Sequence, residues 1–195
     1  MRNTVKLGVV LLVVCAISGG VLSYVHGITS KIIDARKAEE QARSMQIVLP
    51  QAQDFAAIES SELAGFKAEP KFTDVEEAYI GSAAGEVKGL VVKVAPSGYG
   101  GKIVMLVGIG SDNAVSGLEI LSHSETPGLG AEVTKADWRT QFIGKGASGT
   151  LAVTKDGGEI AAVSSATISS RAVVRGVNAA RELARATSVV GGAAK

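Results

Sequence analysis

Three regimes of hydrophobic patterning divide the chain. The first runs from Leu7 to Val25 (LGVVLLVVCAISGGVLSYV) without a single charged residue. About 20 apolar residues suffice for one helical crossing of a bilayer, so the run is long enough to span. Arg2 and Lys6 stand directly before it. Positive residues stay preferentially on the cytoplasmic side, which predicts a cytoplasmic N-terminus and a body exported beyond about Gly27. A buried core helix fits poorly, because so small a domain has little interior to surround it. A cleaved signal peptide fits less well than an anchor. The run is longer than the usual apolar segment, and Ser23-Tyr24-Val25 is no small-x-small cleavage site. Val14 before Cys15 likewise argues against a lipidated cysteine. A retained anchor over residues 1–27 is the expectation.

The second regime has helical spacing. Ile28, Ile32, Ala35, Ala38, Ala42, Met45 and Leu49 fall at steps of three or four, with Lys31, Asp34, Arg36, Lys37, Glu39 and Glu40 between them. Pro50 stops the pattern. An amphipathic stalk and linker over 28–72 follows, packed on the domain or on a partner. From about Thr73 the period becomes two, which marks a domain over 73–190 ahead of a Gly-rich tail at 191–195. Strands are predicted at 87–94, 103–109 and 115–121, with turn signals at Ser97-Gly98 and Ser111-Asp112-Asn113. A short helix is expected around 138–142. Two more strands near 151–154 and 160–163 should precede a final helix from about Ser169 to Ala186. That helix carries its apolar stripe on Val173, Val177, Ala180 and Ala184, with Arg171, Arg175, Arg181 and Arg185 off the stripe. The fold class predicted is α+β, a single N-terminal transmembrane helix followed by one extracytoplasmic domain.

Composition narrows the function. Apolar residues make up 46% of the sequence but aromatics only 4%, and glycine reaches 24 residues, so the core must be aliphatic and the turns tight. The net charge is +1, without the basic face or helix that a nucleic-acid binder concentrates. Cys15 is the only cysteine and His26 and His123 the only histidines, too few for a disulfide framework or a protein-ligated metal centre. Redox work by this chain needs an organic cofactor.

Two segments carry candidate chemistry. Ser164-Ser165-Ala166-Thr167-Ile168-Ser169-Ser170 lies between the predicted strand near 160–163 and the predicted final helix. Small residues there permit close approach by a bulky ligand, and the hydroxyls supply donors. The helix N-terminus offers free N–H groups to an anion. Arg171 and Arg175 are further positive groups. An ordinary Ser-rich helix cap would look the same. The second segment is His123-Ser124-Glu125-Thr126-Pro127-Gly128-Leu129-Gly130, a rigid exposed turn able to bring backbone against a flat ligand. Read alone, it is equally a structural turn.

The first of these segments resembles the S/T-G-A-T signature of bacterial FMN-binding domains, found in the G subunit of Rnf-type complexes and the C subunit of the sodium-pumping quinone reductase. The second resembles the H-x-E-T-P-G-L-G hallmark of the same families, and its initial His favours the Rnf branch. ADWRTQFIGK, with Trp138, Phe142, Gly144 and Lys145, is similar to that branch as well. Gly98-Tyr99-Gly100-Gly101-Lys102-Ile103 resembles the G-Y-x-G-x-I turn that precedes a strand in these domains. There Tyr99 is either a hairpin residue or a contact to a flavin edge. Two positions depart from the pattern: Ser165 stands where Gly is usual, and Ala161 where Asp often precedes the motif.

The resemblance implies an electron-relay subunit of an ion-translocating ferredoxin:NAD oxidoreductase in the plasma membrane, with FMN joined to Thr167 by a phosphoester. It implies a site of Ser164, Ser165, Ala166, Thr167, Ser169 and Ser170 together with Glu125, Thr126, Gly128, Leu129 and Gly130, without catalytic residues or metal. The implied partners are the other membrane subunits and, during maturation, a flavin transferase. A quinone-reductase C subunit or a free-standing exported flavoprotein remains open. So does a flavin-free membrane-anchored assembly module.

Overall fold

The computed structural model describes residues 2–187, which divide into two compact units between Ala42 and Arg43. Helix α1 is assigned from Arg2 to Val48. Within the first unit, Lys6–Ser30 has a mean hydropathy of 2.3 and is not buried, and by length and composition it can cross a membrane. Its polar end is satisfied internally, because the Thr29 and Ser30 hydroxyls donate to the Val25 and His26 carbonyls at 2.8 and 2.7 Å. Among the described residues of the predicted amphipathic face, Ile28, Ala38 and Ala42 are exposed and Met45 is buried. Pro50 disfavours helical geometry in the residue before it, and the helix closes at Val48.

In the second unit, β1 (Asp54–Ala57), β2 (Val75–Ala83), β3 (Glu86–Val94), β4 (Val104–Gly110) and β5 (Val115–Ser122) form one antiparallel sheet in sequence order. Helix α2 (Ser60–Lys67) joins β1 to β2. The central strands are apolar in both phases of the period because both faces are covered. Leu90, Val92, Val94, Met105, Val107 and Ile109 belong to the main core with Val173, Val177, Ala180 and Ala184 of α4 (Thr167–Ala186), the predicted stripe. Val91 and Leu106 point the other way, onto Met45, Val48, Leu49 and Ala52. That second face depends on two glycines. A Cβ at Gly108 would lie 2.1 Å from the Val48 carbonyl oxygen, and one at Gly117 would lie 2.6 Å from the Val48 Cα. The same carbonyl accepts from the Ser116 hydroxyl at 2.6 Å.

Several expectations change. The folded unit begins at Arg43, well ahead of residue 73, and the presumed linker contains β1 and α2. The helix near Trp138 is one turn, α3 (Ala136–Arg139), continued as a 3-10 turn over Thr140–Phe142, with Trp138 edge-on to Phe142 at 5.2 Å. The strands expected at 151–154 and 160–163 reduce to a single parallel bridge, Val153 with Ile160. Between them Thr154–Asp156 forms a 3-10 turn closed by Gly157 at φ 80°, and local hydrogen bonds take up the backbone groups a ladder would need. Arg181, off the predicted stripe, is nonetheless buried, donating to the Gly149 carbonyl at 2.9 Å and the Asn178 side chain at 3.2 Å. The final helix starts at Thr167, two residues before the predicted start at Ser169.

Candidate functional site

A cleft of about 400 Å³ opens where the β5–α3 connection meets the N-terminus of α4. Tyr99, Glu125, Thr126, Leu129, Gly130, Ser165, Ala166, Thr167, Ile168 and Ser169 line it. The two sequence segments are therefore brought together, along with the tip of the third. Of the predicted site residues, Ser164, Gly128 and Ser170 stand off the lining. Ser164 is exposed, and Gly128 (φ 74°) has no atom within 4 Å of where a Cβ would sit. Ser170 is buried as a local brace: its hydroxyl donates to the Ala166 carbonyl and accepts from the Val163 N–H, both at 3.0 Å.

Glu125 holds the two sides of the cleft together. Its carboxylate is buried, accepting from the Gly100 N–H at 2.9 Å and from the Ser169 hydroxyl. Glycines make room for it. A Cβ at Gly98 would fall 2.4 Å from one carboxylate oxygen, and one at Gly130 would fall 2.2 Å from the other. His123 serves the same turn, its Nδ1 accepting the Glu125 N–H at 3.2 Å. This is a local brace, not a ligand position.

At the other end of the cleft, α4 begins without a side-chain cap: Ala166 occupies the N-cap position. The first helical hydrogen bond runs from the Ser170 N–H to the Ala166 carbonyl. The N–H groups of the first turn ahead of it have no intrahelical acceptor, and the helix dipole adds partial positive charge there. Thr167, the first helical residue, is half-buried in the cleft wall. Its hydroxyl accepts a hydrogen bond from the Lys155 ammonium at 3.0 Å. Ser165 is held at φ 62°, a left-handed conformation that favours glycine. That is the physical reason for a glycine at this place in the signature.

Arg171 and Arg175 do not reach the cleft as free charges. Arg171 forms a two-pronged pair with Asp156 at 2.8 and 2.5 Å, and Arg175 pairs with Asp74 at 2.8 Å. The hydrogen bond from Arg171 holds the Asp156 carboxyl below its ordinary pKa, and the same pairing raises that of Arg171. Lys155 and Ile168 were not among the residues singled out by sequence. Lys155 lies twelve positions before Thr167, outside the signature, and no periodicity points to it. Among the described residues no group of acidic, His and Cys side chains is arranged to hold a metal.

Such an arrangement suits a ligand with a flat apolar body and an anionic end. Tyr99, Leu129 and Ile168 offer exposed apolar surface around the opening, while the start of α4 offers unpaired donors.

The family model described as FMN-binding domain matches residues 98–182. Among curated proteins, the G subunit of the Na(+)-translocating ferredoxin:NAD(+) oxidoreductase complex of Acetobacterium woodii is 38% identical, covering 89% of this chain and 87% of the relative. The G subunit of the ion-translocating oxidoreductase complex of Methanosarcina acetivorans is 35% identical, covering 92% and 93%. Among solved structures, NqrC of Shewanella oneidensis superposes with a TM-score of 0.56 at 18% identity, covering 78% of this chain and 99% of that one. That likeness is one of fold.

Proposed function

The chain belongs to the G-subunit family of ion-translocating oxidoreductase complexes, and from that premise we propose that it is the electron-relay flavoprotein of a membrane-bound ferredoxin:NAD oxidoreductase, with FMN joined to Thr167 as a phosphate ester. The observation that carries the attachment is the position of the Thr167 hydroxyl. It stands at the first residue of an uncapped helix, inside a cleft walled by both signature segments.

The residues fit the cofactor. A volume of about 400 Å³ is in the range of small-molecule sites. The free N–H groups at the start of α4 suit a phosphate, and the small residues Ser165 and Ala166 leave room beside it. Tyr99, Leu129 and Ile168 would flank the ring system. When bound, FMN supplies reversible electron transfer, and the protein contributes position and electrostatics. Thr167 is an attachment residue and Glu125 a brace, so this chain contributes no catalytic side chain of its own. A covalent tether keeps the cofactor in place on a membrane face without a pool of free flavin to replace it. Lys6–Ser30 serves as the anchor, with Arg2 and Lys6 on the cytoplasmic side and the domain on the other. The partners are the other membrane subunits of the complex and the flavin transferase that installs FMN.

Intact mass tests the attachment. Co-expressed with the flavin transferase, the chain should exceed its sequence mass by one FMN less one water, with the adduct on the peptide containing Thr167. Yellow fluorescence should stay with the denatured wild-type band and vanish in Thr167→Val, which keeps the shape of the side chain and removes the attachment atom. Flavin that washes out on denaturation, or that persists in the Val variant, would overturn the proposal.

A further inference from the structure

Lys155 is not part of either signature, yet among the described residues its ammonium is the only side-chain cation in contact with the Thr167 hydroxyl, at 3.0 Å. Its placement is built rather than incidental. Lys155 sits in the middle of the 3-10 turn Thr154–Asp156. Gly157 at φ 80° closes that turn, and backbone bonds from Asp156 and Gly158 to the Val153 carbonyl at 2.8 and 3.0 Å fasten it. Gly158 lets the returning chain pass, since a Cβ there would lie 2.0 Å from the Ala152 carbonyl oxygen. The next residue after Lys155, Asp156, is clamped by Arg171 near the start of α4. One ion pair therefore fixes the turn to the helix that carries Thr167 and leaves Lys155 directed at its hydroxyl.

A neutral hydroxyl gains little from so placed a cation. A phosphate ester on the same oxygen carries a negative charge, and an ammonium is a good donor to phosphate oxygens. We propose that Lys155 is a phosphate-binding residue of this site, positioned by the Asp156–Arg171 pair to neutralise the anionic end of the flavin. The proposal rests on the flavin reading above and extends it to a residue outside the signature. It also gives Arg171 a definite role: Arg171 acts through Asp156 on Lys155 rather than touching the phosphate.

The test compares the full-length chain with Lys155→Met, Lys155→Arg and Arg171→Met, each co-expressed with the transferase. In wild type the phosphorus NMR resonance of the loaded protein should move in Lys155→Met and return towards its original position in Lys155→Arg. A resonance unchanged in Lys155→Met would overturn the role. Should wild type carry no covalent flavin, the ester reading fails and Lys155 is tested separately. Free FMN is then titrated into the unmodified chain, followed by quenching of flavin fluorescence. Removing one exposed ammonium should weaken binding about fivefold in Lys155→Met, with Lys155→Arg within about twofold of wild type. Equal affinities, or no reversible binding by wild type, would overturn the proposal. Arg171→Met should reproduce the Lys155→Met shift in part, because the turn loses its anchor while the ammonium remains.

Discussion

The Ser169 hydroxyl donates to the buried Glu125 carboxylate, joining side chains 44 positions apart in sequence. The other oxygen of that carboxylate accepts the Gly100 N–H, so one side chain ties the Tyr99 turn to the start of α4 across the cleft. Glu125→Ala should leave the Gly100 N–H without an acceptor and a void beside Gly98 and Gly130. The expected loss is about 2–3 kcal/mol of stability, read as a lower unfolding midpoint of the detergent-solubilised chain. Ser169→Ala removes one donor only and should cost about 1 kcal/mol. A Glu125→Ala midpoint equal to wild type would show that the contact does not hold the site.

Ser165 tests the backbone side of the signature. At φ 62° its Cβ is strained, and Ser165→Gly relieves that strain while loosening the unfolded chain. The net expectation is a small gain of about 0.5 kcal/mol. Ser165→Val, branched at Cβ, should lose about 1–2 kcal/mol. Thermal unfolding of both variants decides, and a Val variant as stable as wild type would show that this residue is not held left-handed.

Gly108 and Gly117 admit the Val48 backbone onto the second face of the sheet. Alanine at either place collides with main chain, which cannot swing aside as a side chain would. A loss of about 2–3 kcal/mol is expected for each. Limited proteolysis reports it directly: cleavage near Arg43 should be faster in Gly117→Ala than in wild type. Equal rates would mean that the sheet takes up the methyl without releasing residues 43–52.

Titration of Asp156 gives a pH prediction with a defined sign. Arg171 lowers the folded-state pKa of Asp156 below its ordinary 3.8, so the pair is intact above that value and is lost as pH falls through the lower one. The carboxyl carbon of Asp156, followed by NMR, should titrate below the ordinary range in wild type and return to it in Arg171→Met. Identical midpoints would remove the pair as the anchor of the Lys155 turn.

Much of this molecule was legible from local pattern. The charge-free run from Leu7, the strands expected at 87–94, 103–109 and 115–121 and the stripe of α4 each follow from the residues of a single element, so local composition and spacing report them. By contrast, β2 was not among the expected strands. The two signature segments were legible through their resemblance to a known family, since residue type alone left them a helix cap and a turn. Ser165 and Gly128 answer to local backbone demands, whereas Gly130 answers to Glu125. What lay beyond the sequence depends on contacts between distant segments. β1 is four residues long and takes its pairing from β2, so it has no period of its own. The segments at 151–154 and 160–163 have strand-like composition, but the turn between them satisfies its own hydrogen bonds and leaves one bridge. Arg181 lies off the apolar stripe of α4, yet the Gly146–Gly149 loop folds over it. Lys155 and Thr167 meet across twelve positions of sequence, with the Asp156–Arg171 pair beside them joining the turn to α4. Sequence by itself determined which residues are able to hold an anion beside an apolar wall. Tertiary packing decided which of them face one another, because a hydrogen bond or ion pair is specified by a distance in space that spacing along the chain does not encode.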